Sequence, residues 1–163
     1  MFGLKKRVSA GKGHSLSEIK ETVRKSFDLM EYKYDVDENG SVICDVMGDD
    51  IPMRVVAASD ENSIGILVLM SFSVDESHKV GVLDRINSLN NDIRYGRFYL
   101  HPIDEGYAPV FQYSIPDCVI NLKPEVVATF IQMSLDTVDK VDGEIKKMIE
   151  SDAWKKSSDY MYI

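Results

Sequence analysis

The sequence predicts an α+β fold: an antiparallel five-stranded sheet with three helices, ordered helix, three strands, helix, two strands, helix. Three observations carry that expectation. Apolar residues recur at spacings of three and four over three separate stretches, as one face of an amphipathic helix requires. Between these stretches lie runs rich in Val, Ile, Leu, Phe and Tyr, bounded by Asp, Asn, Gly and Ser. The connections within each group of strands are short, which makes neighbours antiparallel.

The first helix opens at Ser15, because Ser15-Leu16-Ser17-Glu18 is a capping box in which each side chain satisfies an orphan backbone amide. Leu16, Ile19, Val23, Phe27 and Met30 form its apolar stripe, with Lys20, Glu21, Arg24 and Lys25 on the wet side. Asp37-Glu38-Asn39-Gly40 turns the chain into strands over 41–47, 51–58 and Ile64 to Phe72, separated by Gly48-Asp49-Asp50 and Asp60-Glu61-Asn62-Ser63. The third strand is apolar on both sides, with Ile64, Ile66, Val68, Met70 and Phe72 on one and Leu67 and Leu69 on the other. A sheet with one wet face alternates instead, so the second side requires a cover: a helix, a second subunit or a client. A helix over 77–93 carries Val80, Leu83, Ile86, Leu89 and Asn90 on one side. Strands at Arg97-Phe98-Tyr99-Leu100 and from Ala108 to Ser114 follow. A long last helix begins near Pro124, with Val127, Ile131, Leu135, Val138, Val141, Ile145 and Met148 as its seam.

At 163 residues the chain fits one domain, read here as 15–150, flanked by a basic flexible arm (1–14) and an aromatic tail (151–163). The arm holds four positive charges and no acid, so the remainder carries −12 of a formal −8. That balance repels phosphate backbones and anionic lipids, which argues against nucleic acid and membrane surfaces as partners. Two cysteines are too few for a disulfide framework, and no run approaches the roughly 20 apolar residues of a membrane span. The basic start lacks the apolar core of a signal peptide, so the expected location is cytoplasmic.

Candidate chemistry is sparse. Asp35-Val36-Asp37-Glu38-Asn39-Gly40 matches the first half of a calcium loop, but the twelfth position, which needs a bidentate carboxylate, is Val46. His14, His78 and His101 are far apart and have no zinc-type spacing. Nothing in the sequence brings Cys118 to His101, as a nucleophile and its base would need. Gly11-Lys12-Gly13 lacks the rest of a phosphate loop. The expectation is therefore no enzyme, no catalytic residue, no metal and no cofactor.

The element order, together with Ile86-Asn87-Ser88-Leu89-Asn90-Asn91-Asp92-Ile93-Arg94-Tyr95-Gly96-Arg97-Phe98-Tyr99-Leu100, resembles the YbjN-like family of bacterial sensory transduction regulators. In that stretch a helix ends in an Asn-containing turn, N-x-x-x-x-x-G-x-F/Y, that enters a strand. Phe111-Gln112-Tyr113-Ser114-Ile115-Pro116 resembles the family's next strand, and Phe27-Asp28-Leu29-Met30-Glu31-Tyr32-Lys33-Tyr34 the end of its first helix. The resemblance implies a fold similar to class I type III secretion chaperones, which are acidic, dimeric proteins that bind an extended client segment. It supplies no catalytic residues. The longer last helix and the aromatic tail depart from the chaperones.

These observations together point to a cytosolic protein-binding module, chaperone-like or adaptor, working as a homodimer. The alternatives are a small-molecule-sensing regulator and an enzyme using Cys118 or scattered carboxylates. Leu67 and Leu69, with Trp154, Tyr160 and Tyr162 of the tail, are the expected partner-binding residues, and Val80, Leu83 and Ile86 the expected dimer contact.

Overall fold

The structure is a computed structural model that describes residues 14–61, 63–116 and 122–150. Its elements are α1 (Leu16–Leu29), β1 (Asp35–Val36), β2 (Val42–Met47), β3 (Pro52–Ser59), β4 (Ser63–Met70), α2 (Lys79–Asp92), β5 (Arg97–Ile103), β6 (Gly106–Pro116), α3 (Pro124–Asp139) and α4 (Asp142–Glu150). The strands form one antiparallel sheet in the order β1-β2-β3-β4-β6-β5. The α+β architecture expected from the sequence is the one observed.

Two details differ. A sixth strand, β1, pairs with the start of β2 through Asp35↔Ile43 and Val36↔Val42. The Asp37–Gly40 turn is thus a hairpin. Asp37 Oδ1 accepts the Asn39 and Ser41 amides at 2.9 and 2.7 Å, which holds its carboxyl below the usual range, the Ser41 backbone bond contributing most. The last helix, read as one, is divided: Val141 N–H bonds back to Val138 O, and the chain restarts as α4 at Asp142. Asp139, Asp142 and Gly143 are poor helix-interior residues, and the Asp139 carboxylate instead accepts the Asp49 amide at 2.7 Å.

Every helix among the described residues lies on one side of the sheet. The core joins Ile19, Val23 and Phe27 of α1, Val82, Ile86 and Leu89 of α2, Val127, Ile131, Leu135 and Val138 of α3, and Ile145 of α4. Against them stand Val42, Cys44, Met53, Val55, Ile64, Ile66, Val68, Phe98 and Phe111 of the strands. The capping box of α1 forms as read, with Ser15 N–H donating to Glu18 Oε2 at 2.8 Å and Glu18 N–H to Ser15 Oγ at 3.3 Å.

The Asn90…Gly96-x-Phe98 spacing is a structural clasp. From the end of α2, Asn90 Nδ2 donates to Phe98 O at 3.0 Å, and its Oδ1 accepts Phe98 N–H at 2.7 Å. One side-chain amide thereby satisfies both backbone groups of an edge-strand residue. Gly96 makes the approach possible: its φ is +71, and a Cβ there would collide with the Phe111 ring. Phe98 can then pack on Phe111, with ring centroids 5.0 Å apart.

Asp142 is the costly group in this fold. It is fully buried; Oδ1 accepts the Gly143 amide, and Oδ2 has no hydrogen-bond partner among the described residues. Burial pushes its carboxyl above the usual range, and Asp139, Asp50 and Asp49 push it further. Gly143 sits so close to Asp50 that a Cβ would run into that carboxylate.

Two expectations follow. Asn90→Ala leaves two partly buried backbone groups unpaired and lowers unfolding free energy by about 2 kcal/mol, read by urea titration. The exposed neighbour change Asn91→Ala stays within about 0.5 kcal/mol. For Asp142, a folded-state pKa raised above the unfolded one means stability is lost as pH rises through it. Asp142→Asn therefore raises the melting temperature near neutral pH, and the gain narrows toward about pH 4, where unfolded carboxyls also hold their protons.

Candidate functional site

The side of the sheet away from the helices is the candidate site. Side chains alternate along each strand, and residues directly opposite across a ladder share a side. Leu67 lies opposite Val56 on β3 and Gln112 on β6; Leu69 lies opposite Arg54 and Val110. The registers extend this side to Ile43 on β2, Ala58 on β3, Gly65 on β4, and Tyr99 and His101 on β5. Ile43, Val56, Leu67, Leu69 and Val110 belong to no part of the core that the helices cover. Leu67 and Leu69 are half-buried, and Val110, flanked by Leu69 and Tyr99, is only 2% exposed. Among the described residues no helix covers this apolar strip.

The charged strand residues on this side are Asp45 and Arg54, which pair, and Asp35 and Arg97 on the outer strands. Arg54 forks onto Asp45 directly opposite, Nε to Oδ1 at 2.7 Å and Nη2 to Oδ2 at 3.0 Å. Its hydrogen bonds hold the Asp45 carboxyl below the usual range and raise the arginine. Arg97 Nη2 donates to Gln112 Oε1 at 3.2 Å, and the guanidinium carbon Cζ lies 5.9 Å from the centre of the Tyr99 ring, whose other neighbour is His101. The result is an apolar centre with polar and charged residues toward its outer strands.

Leu67 and Leu69, expected from sequence as partner-binding residues, thus sit together at the centre of this strip. Trp154, Tyr160 and Tyr162 lie outside the described residues, as does Cys118. Of the α2 residues expected at a dimer contact, Val80 is 57% exposed and Leu83 half-buried, but Ile86 is 2% exposed and belongs to the core. The stripe that α2 buries is Val82, Ile86 and Leu89. Val56, Val110 and Tyr99 were not singled out in the sequence, because only the cross-strand register places them beside Leu67 and Leu69.

The titratable groups gather elsewhere. No cluster of three or more His, Cys, Asp or Glu among the described residues could hold a metal ion. Cys44 is buried, and burial first, then Asp45, pushes its thiol up. Asp75 is held at about 2 by bonds from Ser77 and His78. Tyr107 donates to Glu76 Oε2 at 2.9 Å and accepts from Lys79 at 2.6 Å. No helix of the described residues is long and apolar enough to cross a membrane.

Comparison with protein families matches residues 20–147 to YbjN, described as "Putative bacterial sensory transduction regulator". The chain belongs to the YbjN family. No curated protein matches it. Among solved structures it is similar to YbjN from E. coli, titled "a putative transcription regulator", with TM-score 0.62 and 15% identity over 78% of this chain and 90% of that one. It is also similar to an uncharacterized protein from Methanothermobacter thermautotrophicus, with TM-score 0.53 and 16% identity over 80% and 99% of the two chains. At these identities the likeness speaks for the fold. The Asn90…Gly96-x-Phe98 clasp, which carried the family resemblance in sequence, lies inside the matched span and is a folding device.

The exposed margin of the sheet gives a direct check on the rim. Asp45→Ala leaves Arg54 without its fork, but both partners are solvated, so unfolding free energy changes by less than about 1 kcal/mol in urea titration. A markedly larger loss would place this pair in a buried environment.

Proposed function

We propose that this chain is a non-enzymatic protein-binding module, chaperone- or adaptor-like, that works in the cytoplasm as a homodimer with the open sheet faces as the contact between copies. The apolar strip through Ile43, Val56, Leu67, Leu69 and Val110 carries this reading, because the helices leave it uncovered. A second copy suits it on charge. The chain is formally −8, so two copies repel over most of their surface, yet among the described strand residues of this side Asp45 and Arg54 pair with each other, and the remaining charges, Asp35 and Arg97, lie on the outer strands β1 and β5. The size also fits: six strands at about 4.8 Å and about six residues at about 3.3 Å give on the order of 600 Å² in plan, near what each partner contributes to a standard interface. By contrast, α2 offers only Val80 and the flank of Leu83.

A client segment would use a different part of the sheet. β1 covers only Val42 and Ile43, and no described strand pairs with the outer edge of β2 over 44–47. Met47, 74% exposed, stands beside that edge. An extended peptide adding there would gain main-chain bonds without any special residue, consistent with a sequence free of catalytic motifs. The opposite edge is blocked at Phe98 by Asn90.

Light scattering at tens of micromolar tests the dimer. The expected mass is twice the 18.4 kDa of the chain. Leu67→Lys/Leu69→Lys should give a monomer with unchanged far-ultraviolet circular dichroism. A monomeric parent chain, or a double variant that still dimerises, contradicts the reading.

A further inference from the structure

A second feature lies on the helix side, remote from the open face. Between the end of α2, the start of β5 and the end of α3 is a cleft of about 290 Å³ lined by Leu89, Asp92, Ile93, Arg94, Tyr95, Phe98, Thr137, Lys140 and Val141. Its floor is apolar: Phe98 and Leu89 are 2% and 7% exposed, and Ile93 and Val141 pack against the core. Its charged residues are at the surface, and neither Arg94 nor Lys140 makes an ion pair or side-chain hydrogen bond within the described residues. Of the other described cations, Lys25, Arg54, Lys79, Arg85 and Lys146 each face a carboxylate.

We propose that this cleft is a binding site for a small monocarboxylate with a ring-sized apolar body, seated on Leu89, Ile93, Phe98 and Val141 with its carboxylate met by Arg94 and Lys140. The volume lies just below the about 300–1,000 Å³ of drug-sized sites, which sets the size of the ligand. Two cations against Asp92 leave a surplus of one positive charge, on a chain whose net charge is −8. That surplus matches a single negative charge and disfavours a dianion such as a phosphate monoester. Thr137 donates its hydroxyl to Met133 O at 2.6 Å, so Arg94 and Lys140 are the charged donors left for the carboxylate, beside the Tyr95 hydroxyl. An apolar floor with few polar groups at the mouth is the usual composition of a small-ligand site. The site is independent of the sheet face, and a failed dimer test leaves it standing.

The test is a titration of the full chain with phenylacetate, phenylacetamide and phenyl phosphate, followed by amide proton–nitrogen spectra. Phenylacetate should give saturable shifts at Leu89, Ile93 and Val141 by about 10 mM and bind at least about tenfold more tightly than the amide, which lacks the charge. Phenyl phosphate should bind more weakly than phenylacetate. Arg94→Gln/Lys140→Gln alters only exposed side chains and should lower phenylacetate affinity to that of the amide, with amide binding unchanged. The proposal is overturned by absence of saturation, by shifts confined to other residues, by equal binding of acid and amide, by tighter binding of the phosphate, or by a double variant that binds phenylacetate as before.

Discussion

Successive side chains of an extended strand leave on opposite sides, so β4 cannot bury Ile64, Ile66, Val68 and Met70 without presenting Leu67 and Leu69 to the other side. The rest of the molecule follows from that constraint. α1, α2, α3 and α4 pack against the first set and close one core. The second set lines up with Val56 and Val110 through the β3–β4 and β4–β6 registers, and a one-residue slip would exchange the two. The β4–β6 ladder runs to Leu69↔Val110 and stops beside Pro109, whose ring nitrogen has no hydrogen to donate; Val74 then rejoins at Tyr107, with bonds of 2.7 and 2.9 Å.

Much of this was legible in the sequence because local chemistry and tertiary role agree there. Ser15 and Glu18 mark the start of α1, and spacings of four along Ile19, Val23 and Phe27 trace the side that becomes buried. Misreadings arose where they diverge. On α2, Val80, Leu83, Ile86 and Leu89 are each three apart, and a three-residue step drifts by about 60° around a helix. That series therefore wraps from solvent at Val80 to core at Leu89, whereas Val82, Ile86, Leu89 and Ile93 alternate four and three and hold one side. β1 is a two-residue strand with no apolar alternation to reveal it, made by the hairpin that Asp37 organises. The division of the last helix was hidden because Val138, Val141 and Ile145 keep helical spacing across the break.

The apolar strip was half legible. The two-sided character of β4 needs no structure to see, and the register places Leu67 and Leu69 on the side away from the helices. Its neighbours Val56, Val110 and Tyr99 come from strands distant in sequence, and only the pairing order, with β6 inserted between β4 and β5, assembles them. The cleft beside α2 was invisible for the same reason: Arg94 and Lys140 are 46 positions apart in the sequence and meet only through packing.

The central claim is that the strip around Leu67 and Leu69 is open in the single chain and closed by a second copy. Solvent paramagnetic broadening of the Leu67, Leu69 and Val56 methyl signals, recorded across a dilution series, tests it most directly. The account predicts strong broadening at high dilution and protection as concentration rises, while Ile131 and Val68 methyls stay protected throughout. Protection of Leu67 and Leu69 at every concentration would mean that the chain covers its own strip, and broadening at every concentration that no second copy does; either contradicts the account.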